Sequence, residues 1–229
     1  MFSLSTSADG ETVAFIARPG GAFQLWVGKA DGSGQQALTT PIDPRWARFS
    51  PNGKQIVYYE FSLGHIFVIN PDGTGNLDLT PTLPTGMTSC YDASVSADST
   101  QAVFTCQSNA TGTFGIYTVK MDGTAAKTVE TRATFYTDYA FFTPDVKKIL
   151  FIGGFSKGFG VGSVNIDGTG ETLLVPSSSE LLVLNSSLYY EPCSSPLQIF
   201  KANLDGTKPV QISDSTNTSD LYYPNGGGC

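Results

Sequence analysis

One segment of the chain matches a motif of nucleophilic catalysis. Gly154, Ser156 and Gly158 fit the G-x-S-x-G pattern of a nucleophile elbow, in which a serine lies between a strand and a helix. The elbow also needs an acid and a histidine further along the chain. The one histidine, His65, precedes Ser156, and a strand-like sequence follows Gly158. We therefore predict that Ser156 lies in a loop between two strands, and that this chain contains no catalytic residues.

Residues that bind metals or nucleotides are too few or wrongly spaced. The four cysteines include no C-x-x-C pair, and with a single histidine, interpreted as structural, they match no zinc motif. Gly158, Gly160 and Gly162 resemble part of a dinucleotide fingerprint, but no strand–helix–strand unit surrounds them. We expect no cofactor and no metal. A lyase or a glycosidase would need a metal or an acid cluster, and the sequence shows neither.

A charged residue and an aromatic residue occur side by side at three places. The pairs are Arg45 and Trp46, Tyr91 and Asp92, and Asp138 and Tyr139. Each pair precedes a predicted turn by six or seven residues. Aromatic residues and arginine are frequent anchors of binding interfaces, so we predict these six residues as the contacts of a peptide or sugar ligand. The alternative is structural: the aromatic residues pack between sheets and the aspartates cap strand ends.

Composition and charge restrict the class of partner. The net charge is −7, and the 13 Lys and Arg residues are scattered, which is unsuited to a nucleic-acid groove. No apolar run approaches the 18 residues of a membrane span. The N-terminal residues lack the features of a signal peptide. We therefore expect no nucleic acid and no membrane span, and any targeting segment is absent or lies outside this chain.

The elements that must position these residues follow from an internal repeat. A turn signal recurs every 40 to 47 residues, at Asp9, Asn52, Asp98, Asp145 and Asn185. A second turn signal, Asp-Gly, follows each one at Asp31, Asp72, Asp122, Asp167 and Asp205. Short apolar runs flank both signals, so each unit reads as four strands joined by tight turns. The repeat predicts an all-β fold, a β-propeller of four-stranded antiparallel blades.

We predict a single propeller domain over residues 1–229, with the three pairs of charged and aromatic residues at the mouth of its channel. The repeats are predicted at approximately 2–40, 41–84, 85–131, 132–176 and 177–213. Residues 214–229 are the start of a sixth repeat or a tail. Either about five blades are present, or the chain belongs to a parent with six or more.

The cysteines predict disulfides. If Ser50 pairs with Lys54 across a three-residue loop, the same register in the third repeat places Cys90 opposite Cys106. Opposed residues of antiparallel strands are close enough for a disulfide, although two buried free thiols are the alternative. Cys193 has Cys229 as its remaining partner. Disulfides would indicate an oxidising compartment.

Residues 44–80 resemble a known repeat. The segments PRWARFSPNGKQIVYYEF and HIFVINPDGTGNLDLT are similar to the repeat of the TolB-type β-propeller family, with its turn before the second strand and its closing D-G turn. Ser99, Val146 and Ser186 replace the glycine of the first turn in the third to fifth repeats. The resemblance covers the propeller only, and we expect no counterpart in residues 1–229 of the small N-terminal domain that precedes the propeller in that family.

The resemblance implies a non-catalytic periplasmic or extracellular scaffold that binds a protein or peptide partner. A carbohydrate ligand is the alternative that the aromatic residues leave open. A second hypothesis is the gating propeller of a prolyl-oligopeptidase-type serine peptidase whose catalytic domain lies outside this chain.

Overall fold

Five antiparallel sheets make up the described part of the protein. The computed structural model describes residues 4–81, 86–133, 137–184, 186–193 and 198–213. Each sheet in these ranges contains four strands that follow one another in sequence. This is the blade of a β-propeller, so the predicted fold class is confirmed. The chain divides into two compact units, Met1–Ala133 and Thr134–Cys229. The single-domain organisation stays a prediction, and the expected sixth repeat at 214–229 lies outside the described residues.

The first unit contains three sheets. Sheet 1 consists of β1 (Leu4–Thr6), β2 (Thr12–Ala17), β3 (Gln24–Lys29) and β4 (Gln36–Ala37), with a short 3-10 turn at Pro19–Gly21 between β2 and β3. Sheet 2 consists of β5 (Pro44–Phe49), β6 (Ile56–Glu60), β7 (His65–Ile69) and β8 (Leu77–Asp78). Sheet 3 consists of β9 (Ser89–Val95), β10 (Gln101–Ser108), β11 (Thr113–Lys120) and β12 (Lys127–Ala133).

The second unit contains two sheets. Sheet 4 consists of β13 (Thr137–Phe142), β14 (Lys148–Phe155), β15 (Gly158–Asn165) and β16 (Thr172–Pro176). Sheet 5 consists of β17 (Ser178–Leu184), β18 (Ser187–Pro192), β19 (Phe200–Asn203) and β20 (Val210–Gln211). Ser156 lies in the turn between β14 and β15, where Phe155 pairs with Gly158. The G-x-S-x-G segment is therefore a β-hairpin, as predicted, and not a strand–turn–helix elbow.

The turn between the first two strands is closed by side chains. In sheet 2 the Ser50 amide donates to the Gln55 carbonyl at 2.8 Å, so these two residues pair across a four-residue loop. The predicted pairing of Ser50 with Lys54 is wrong, because the Lys54 amide donates instead to Asn52 Oδ1 at 3.0 Å. Ser50 Oγ also donates to Asn52 Oδ1, at 2.8 Å. Asn52 Oδ1 thus accepts the hydrogen bonds of the Lys54 amide and the Ser50 hydroxyl within the loop, where no strand partner is present.

The third position of this loop has a positive φ whether or not it is glycine, and so does Ser186 in the shorter loop of sheet 5. The φ angle is 70° at Gly53, 60° at Ser99, 56° at Val146 and 58° at Ser186. Side chains with a Cβ rarely adopt this left-handed conformation, and a β-branched residue least of all. The four-residue loop is therefore kept in sheets 3 and 4 at a cost in backbone strain, whereas in sheet 5 Leu184 pairs with Ser187 across a shorter loop.

The turn between the last two strands repeats one hydrogen-bond pattern. In sheet 2, Asp72 Oδ1 accepts from the Thr74 amide at 2.9 Å and from the Thr74 hydroxyl at 2.6 Å. The same pattern joins Asp31 to Ser33, Asp122 to Thr124, Asp167 to Thr169 and Asp205 to Thr207. The hydroxyl bond, followed by the amide bond, lowers the pKa of Asp72, Asp122 and Asp205.

Hydrophobic clusters fill the space between neighbouring sheets within each unit. Ala14, Leu25 and Ile56 belong to a cluster between sheets 1 and 2. A larger cluster between sheets 2 and 3 includes Ile66 and Phe104. In the second unit, a cluster between sheets 4 and 5 is built of Leu150, Ile152, Val161, Leu181, Leu188, Tyr190 and Ala202. A single sheet of short strands buries its faces only by such stacking.

Candidate functional site

The first strand of four sheets carries a β-bulge close to its start, and the predicted site residues lie at these bulges. The bulged residues are Arg45 on β5, Asp92 and Ala93 on β9, Tyr139 and Ala140 on β13, and Ser179 on β17. The φ angle is 47° at Asp92 and 53° at Tyr139. Bulges redirect side chains and are frequent beside functional sites. The residues of the predicted pairs occupy the second to fourth positions of their strands.

Arg45 is held at the start of β5 by one carboxylate and two aromatic rings. Its Nη2 lies 2.8 Å from Asp43 Oδ2. Its guanidinium carbon lies 4.5 Å from the ring centroid of Phe61 and 5.6 Å from that of Phe23. These distances are within the range of cation–π attraction. The side chain is still 47% exposed, so the guanidinium group is held in position and faces solvent.

Arg45 is the centre of a continuous row of arginines and aromatic rings. On one side, the guanidinium carbon of Arg18 lies 5.1 Å from the same Phe23 ring. On the other side, Phe61 packs edge-on against Tyr59, with ring centroids 6.2 Å apart. We call the whole set the arginine–aromatic row; its members, in spatial order, are Arg18, Phe23, Arg45, Phe61, Tyr59, Trp46 and Arg48.

The elements of sheets 1 and 2 bring this row together. Phe23 and Arg18 lie on the connection between β2 and β3, and Phe61 lies on the turn between β6 and β7. Because neighbouring strands are antiparallel, these connections lie at the same end of their sheets as the start of the first strand. Arg45 at the start of β5 therefore meets both connections.

The composition of the row is unusual for this chain. Three of its four arginines belong to the row, and Arg132 is the fourth. Phe61 is 54% exposed and is the one exposed aromatic residue among the residues that the structure describes. Leu63, two residues further on, is 56% exposed. An exposed ring beside a fixed guanidinium group is a typical interface anchor.

Glu60 anchors the loop that carries Phe61 and Leu63. It is only 4% exposed, and its carboxylate accepts from the Leu63 amide at 2.6 Å, the Ser62 amide at 3.2 Å and the Asp43 amide at 3.1 Å. Burial alone would raise the pKa of Glu60, but the hydrogen bonds from Ser62, Leu63 and Asp43 outweigh it and lower that pKa. Glu60 thus positions both Phe61 and the Asp43 partner of Arg45.

The other predicted residues of the first unit are more enclosed. Trp46 is half-buried, stacks on Tyr59 with centroids 6.3 Å apart, and packs against the cluster between sheets 2 and 3. Tyr91 packs against the same cluster. Asp92 is close enough to Tyr59 to influence its hydroxyl: burial raises the pKa of Tyr59, and the carboxylates of Glu60 and Asp92 raise it further, while Arg45 lowers it. Trp46 and Tyr91 therefore take part in the packing between sheets 2 and 3, and their role as ligand contacts stays a prediction.

In the second unit, Tyr139 is half-buried and packs against the cluster between sheets 4 and 5. Asp138 pairs with Ile152 on β14. The side chain of Asp138 lies outside the described residues. The structure thus gives Tyr139 a packing role within its own unit.

Cys90 and Cys106 form a disulfide between β9 and β10, with Cα atoms 3.9 Å apart. They are opposed in the register of the two strands, and both side chains are fully buried. Cys193 is also disulfide-bonded. Its predicted partner, Cys229, lies outside the described residues, so that pairing stays a prediction.

His65 has a local structural partner. Its Nδ1 lies 2.8 Å from Asp78 Oδ2, which joins β7 to β8 at the edge of sheet 2. Among the described residues, no three His, Cys, Asp or Glu side chains come together in a group that would hold a metal ion. Within the same residues, no helix is long and apolar enough to cross a membrane.

Sequence reasoning found Arg45 and Trp46 but missed the rings that hold Arg45. Phe23 and Phe61 lie outside the first strand of each repeat, which is where the three predicted pairs occur. The signal that would have found Phe61 is its place directly after the buried run IVYYE, where the chain turns. An aromatic residue in a turn, followed by Ser and Leu, is an apolar group with little chance of burial.

Comparison with known proteins supports the fold and the repeat type. No protein-family model matches the chain. Over 53 residues the chain is 43% identical to the Tol-Pal system protein TolB of Polaromonas sp. (strain JS666 / ATCC BAA-500), a match that covers 21% of this chain and 12% of that protein. TolB from Acinetobacter baumannii is similar in structure, with a TM-score of 0.68 at 16% identity, over 92% of this chain and 54% of that chain.

Propellers of other activities are equally similar in structure. Oligogalacturonate lyase in complex with manganese has a TM-score of 0.77 at 12% identity, over 92% of this chain and 64% of that chain. The β-propeller domain of the Trilobed protease from Pyrococcus furiosus has a TM-score of 0.67 at 11% identity, over 92% of this chain and 68% of that chain. At these identities the likeness shows the fold alone.

The fold therefore defines the class of this protein as a β-propeller. The resemblance of its repeats to the TolB type, predicted from residues 44–80, is confirmed by the TolB sequence match and by the TolB structure. The chain spans less than two thirds of the length of the Polaromonas and Acinetobacter TolB proteins and of the lyase.

Proposed function

We propose that this propeller is a non-catalytic scaffold that binds a protein or peptide partner through the exposed part of the arginine–aromatic row. The observation that carries the proposal is the contact of Arg45 with Phe61, a fixed guanidinium group against the one exposed aromatic ring of the described residues. Asp43 and Glu60 hold this pair in place before any partner arrives. A surface organised in advance loses less conformational entropy when it binds.

The proposed location of the protein is the periplasm or the cell exterior. A buried disulfide between Cys90 and Cys106 favours an oxidising compartment, because cytosolic thiols are kept reduced. The likeness of the repeats to the Tol-Pal system protein TolB supports a role in contact with other proteins. The proposed location rests on redox chemistry, and the proposed contact with other proteins rests on analogy. The proposed binding surface depends on neither.

A selection from a random peptide library tests the binding proposal. The full chain is immobilised, twelve-residue peptides displayed on phage are selected, and each enriched peptide is measured again on the variant R45A/F61A. The matched control is K54A/L4A, which also removes one cation and one exposed apolar side chain from sheets 1 and 2. We expect peptides that bind wild type and control equally, and that bind R45A/F61A at least tenfold more weakly. Absence of such peptides contradicts the proposal.

The second candidate function is the gating propeller of a serine peptidase. It is favoured by the structural likeness to the propeller domain of the Trilobed protease, which covers 92% of this chain. The natural reading frame around this chain discriminates the two functions. A strand–helix unit with a G-x-S-x-G serine after Cys229 favours the peptidase, whereas further propeller repeats favour the scaffold.

A further inference from the structure

We propose that the partner of the arginine–aromatic row is an extended acidic peptide, with carboxylates at two alternate positions and an apolar side chain two residues further on. This inference rests on the proposed function and names the chemistry of its partner. It is argued from the spacing of Arg18, Arg45 and Phe61.

The two exposed arginines share one ring and have donors to spare. The guanidinium carbons of Arg18 and Arg45 lie 5.1 and 5.6 Å from the centroid of Phe23. Arg18 Nε donates to the Gly21 carbonyl at 2.7 Å, and Arg45 Nη2 donates to Asp43 at 2.8 Å. Neither makes another hydrogen bond within the described residues, and a guanidinium group has five N–H donors. Each therefore has donors available for a carboxylate.

The rings make these donors selective for planar anions. A guanidinium group stacked on an aromatic ring keeps its N–H donors at its edge, where a carboxylate accepts two parallel hydrogen bonds. Phe23 is such a ring for both arginines, and Phe61 is a second one for Arg45. Less side-chain entropy is lost on binding because the rings already hold the groups.

The spacing fits alternate residues of an extended chain. The two guanidinium carbons are at most about 11 Å apart, because both lie close to the same Phe23 ring, and alternate residues of a strand are about 6.6 Å apart on one face. Two acidic side chains at positions i and i+2 therefore reach both arginines. Phe61, which contacts Arg45, and Leu63 are both exposed, and we infer that they receive the next residue on that face, i+4.

Charge complementarity favours this occupant over an uncharged or basic peptide. The chain as a whole has a net charge of −7, so an acidic peptide is not attracted to its general surface. Arginines are present at three positions of the row and at one position elsewhere. The lysines are scattered along the chain, so the planar guanidinium groups that pair with a carboxylate through two parallel hydrogen bonds are concentrated in the row, and the affinity should depend on single arginines there.

Fluorescence anisotropy with a defined peptide tests the inference. The probe is fluorescein-labelled S-G-E-S-E-S-F-G-S, and the control probes replace both glutamates by glutamine or the phenylalanine by serine. We expect at least tenfold weaker binding for both control probes, for R45A and for F61A, and a change of less than twofold for K54A. Affinity falls between 0.05 and 0.5 M NaCl as the ion pairs are screened. R45K, which keeps the charge but not the planar group, binds with intermediate affinity.

The outcomes separate this inference from the proposed function. If the glutamine probe binds as well as the glutamate probe and still depends on Arg45 and Phe61, the acidic partner is wrong and the binding surface stands. If binding is unchanged in R45A and F61A, both fail. If an oligogalacturonate of matched charge binds at Arg45 and displaces the peptide at lower concentration, the partner is an anionic sugar and the peptide inference is overturned. Unchanged far-UV circular dichroism of R45A and F61A shows that their losses of binding are not due to unfolding.

Discussion

Cys90 on β9 lies directly opposite Cys106 on β10, and the β-bulge at Asp92 and Ala93 sets that register. Between the bulge and the turn, Val95 pairs with Ala102, and beyond the bulge the pairing has shifted by one residue. Without the bulge, the two cysteines would be one residue out of register. The disulfide therefore links to β10 the segment of β9 that precedes Asp92, the residue with a positive φ.

Removal of this disulfide should destabilise the fold. The bridge closes a loop with a sequence separation of 16, for which the chain-entropy model gives about 3 kcal/mol. We expect C90A/C106A to lose about 3 kcal/mol of unfolding free energy in urea denaturation. The variant keeps Cys193, so the difference reports on this one bridge. A loss below about 1 kcal/mol would show that the bridge constrains little.

Replacement of Val146 by glycine should stabilise the second unit. Val146 is a β-branched residue with a φ of 56°, and relief of a left-handed conformation contributes about 1 kcal/mol. The control is S99G, which relieves the same positive φ. It also removes the Ser99 Oγ that accepts a hydrogen bond from the Asn52 amide at 3.1 Å, and the loss of this bond offsets the relief of strain. Thermal unfolding should show a higher Tm for V146G and little change for S99G. A lower Tm for V146G contradicts the assignment of strain.

Glu60 should act as the positioning residue of the candidate site. In E60A, three backbone amides lose their acceptor, which costs about 2 kcal/mol in unfolding free energy. Peptide binding should weaken in E60A even at temperatures where the fold is intact, because Phe61 and Asp43 are no longer held. E11A, at an exposed glutamate of sheet 1, is the control and should change neither quantity. Equal binding by E60A and wild type would rule out the positioning role.

The Asp-Thr turns should make stability fall in acid. The pKa values of Asp72, Asp122 and Asp205 are lowered from 3.8, so the folded state binds protons less readily than the unfolded chain. Their stabilisation is complete above the unfolded value and is lost as the pH falls through the lower folded-state pKa. Urea midpoints measured from pH 5 to pH 2.5 should therefore decrease.

Removal of the hydroxyl groups isolates this effect. The triple variant T74A/T124A/T207A loses the strongest cause of the lowered pKa and should show a flatter acid profile than wild type. The triple serine variant keeps the hydroxyls and should retain the wild-type slope, because the Ser33 hydroxyl donates to Asp31 in the equivalent turn of sheet 1. Identical slopes in the alanine and serine variants would show that other carboxylates control the acid transition.

The fold was predictable because its signals are local and repeated. Each blade needs two tight turns: Asp-Gly marks the second turn in all five repeats, and Asp or Asn marks the first turn, followed by Gly in the first two repeats. The pairing of Cys90 with Cys106 was predicted correctly, but from a loop length that is wrong. The loop contains four residues and not three, which shifts the pairing by one, and the bulge at Asp92 shifts it back. Bulges leave no clear sequence signal, since Arg45, Asp92, Tyr139 and Ser179 share no chemistry.

The site was only half predictable because it joins residues that are distant in the sequence. Arg45 follows from its position in the repeat, whereas Phe23 belongs to the connection between β2 and β3 of the preceding sheet. Which ring meets which guanidinium group depends on loop conformation, and Glu60 fixes that conformation through three backbone amides. Trp46 and Tyr139 were predicted as ligand contacts from residue type and from their equivalent positions in the repeats, and the hydrophobic clusters enclose both of them in part.

Hydrogen–deuterium exchange of the chain with and without a bound peptide tests the binding surface most directly. The measurement uses the S-G-E-S-E-S-F-G-S peptide or the strongest peptide of the library selection, at a concentration that saturates the protein. We predict slower exchange in the segments 18–23, 44–49 and 59–64, which carry the arginine–aromatic row, and no change in 198–213. Protection confined to other segments, with none in these three, would contradict the proposal that the row is where a partner binds.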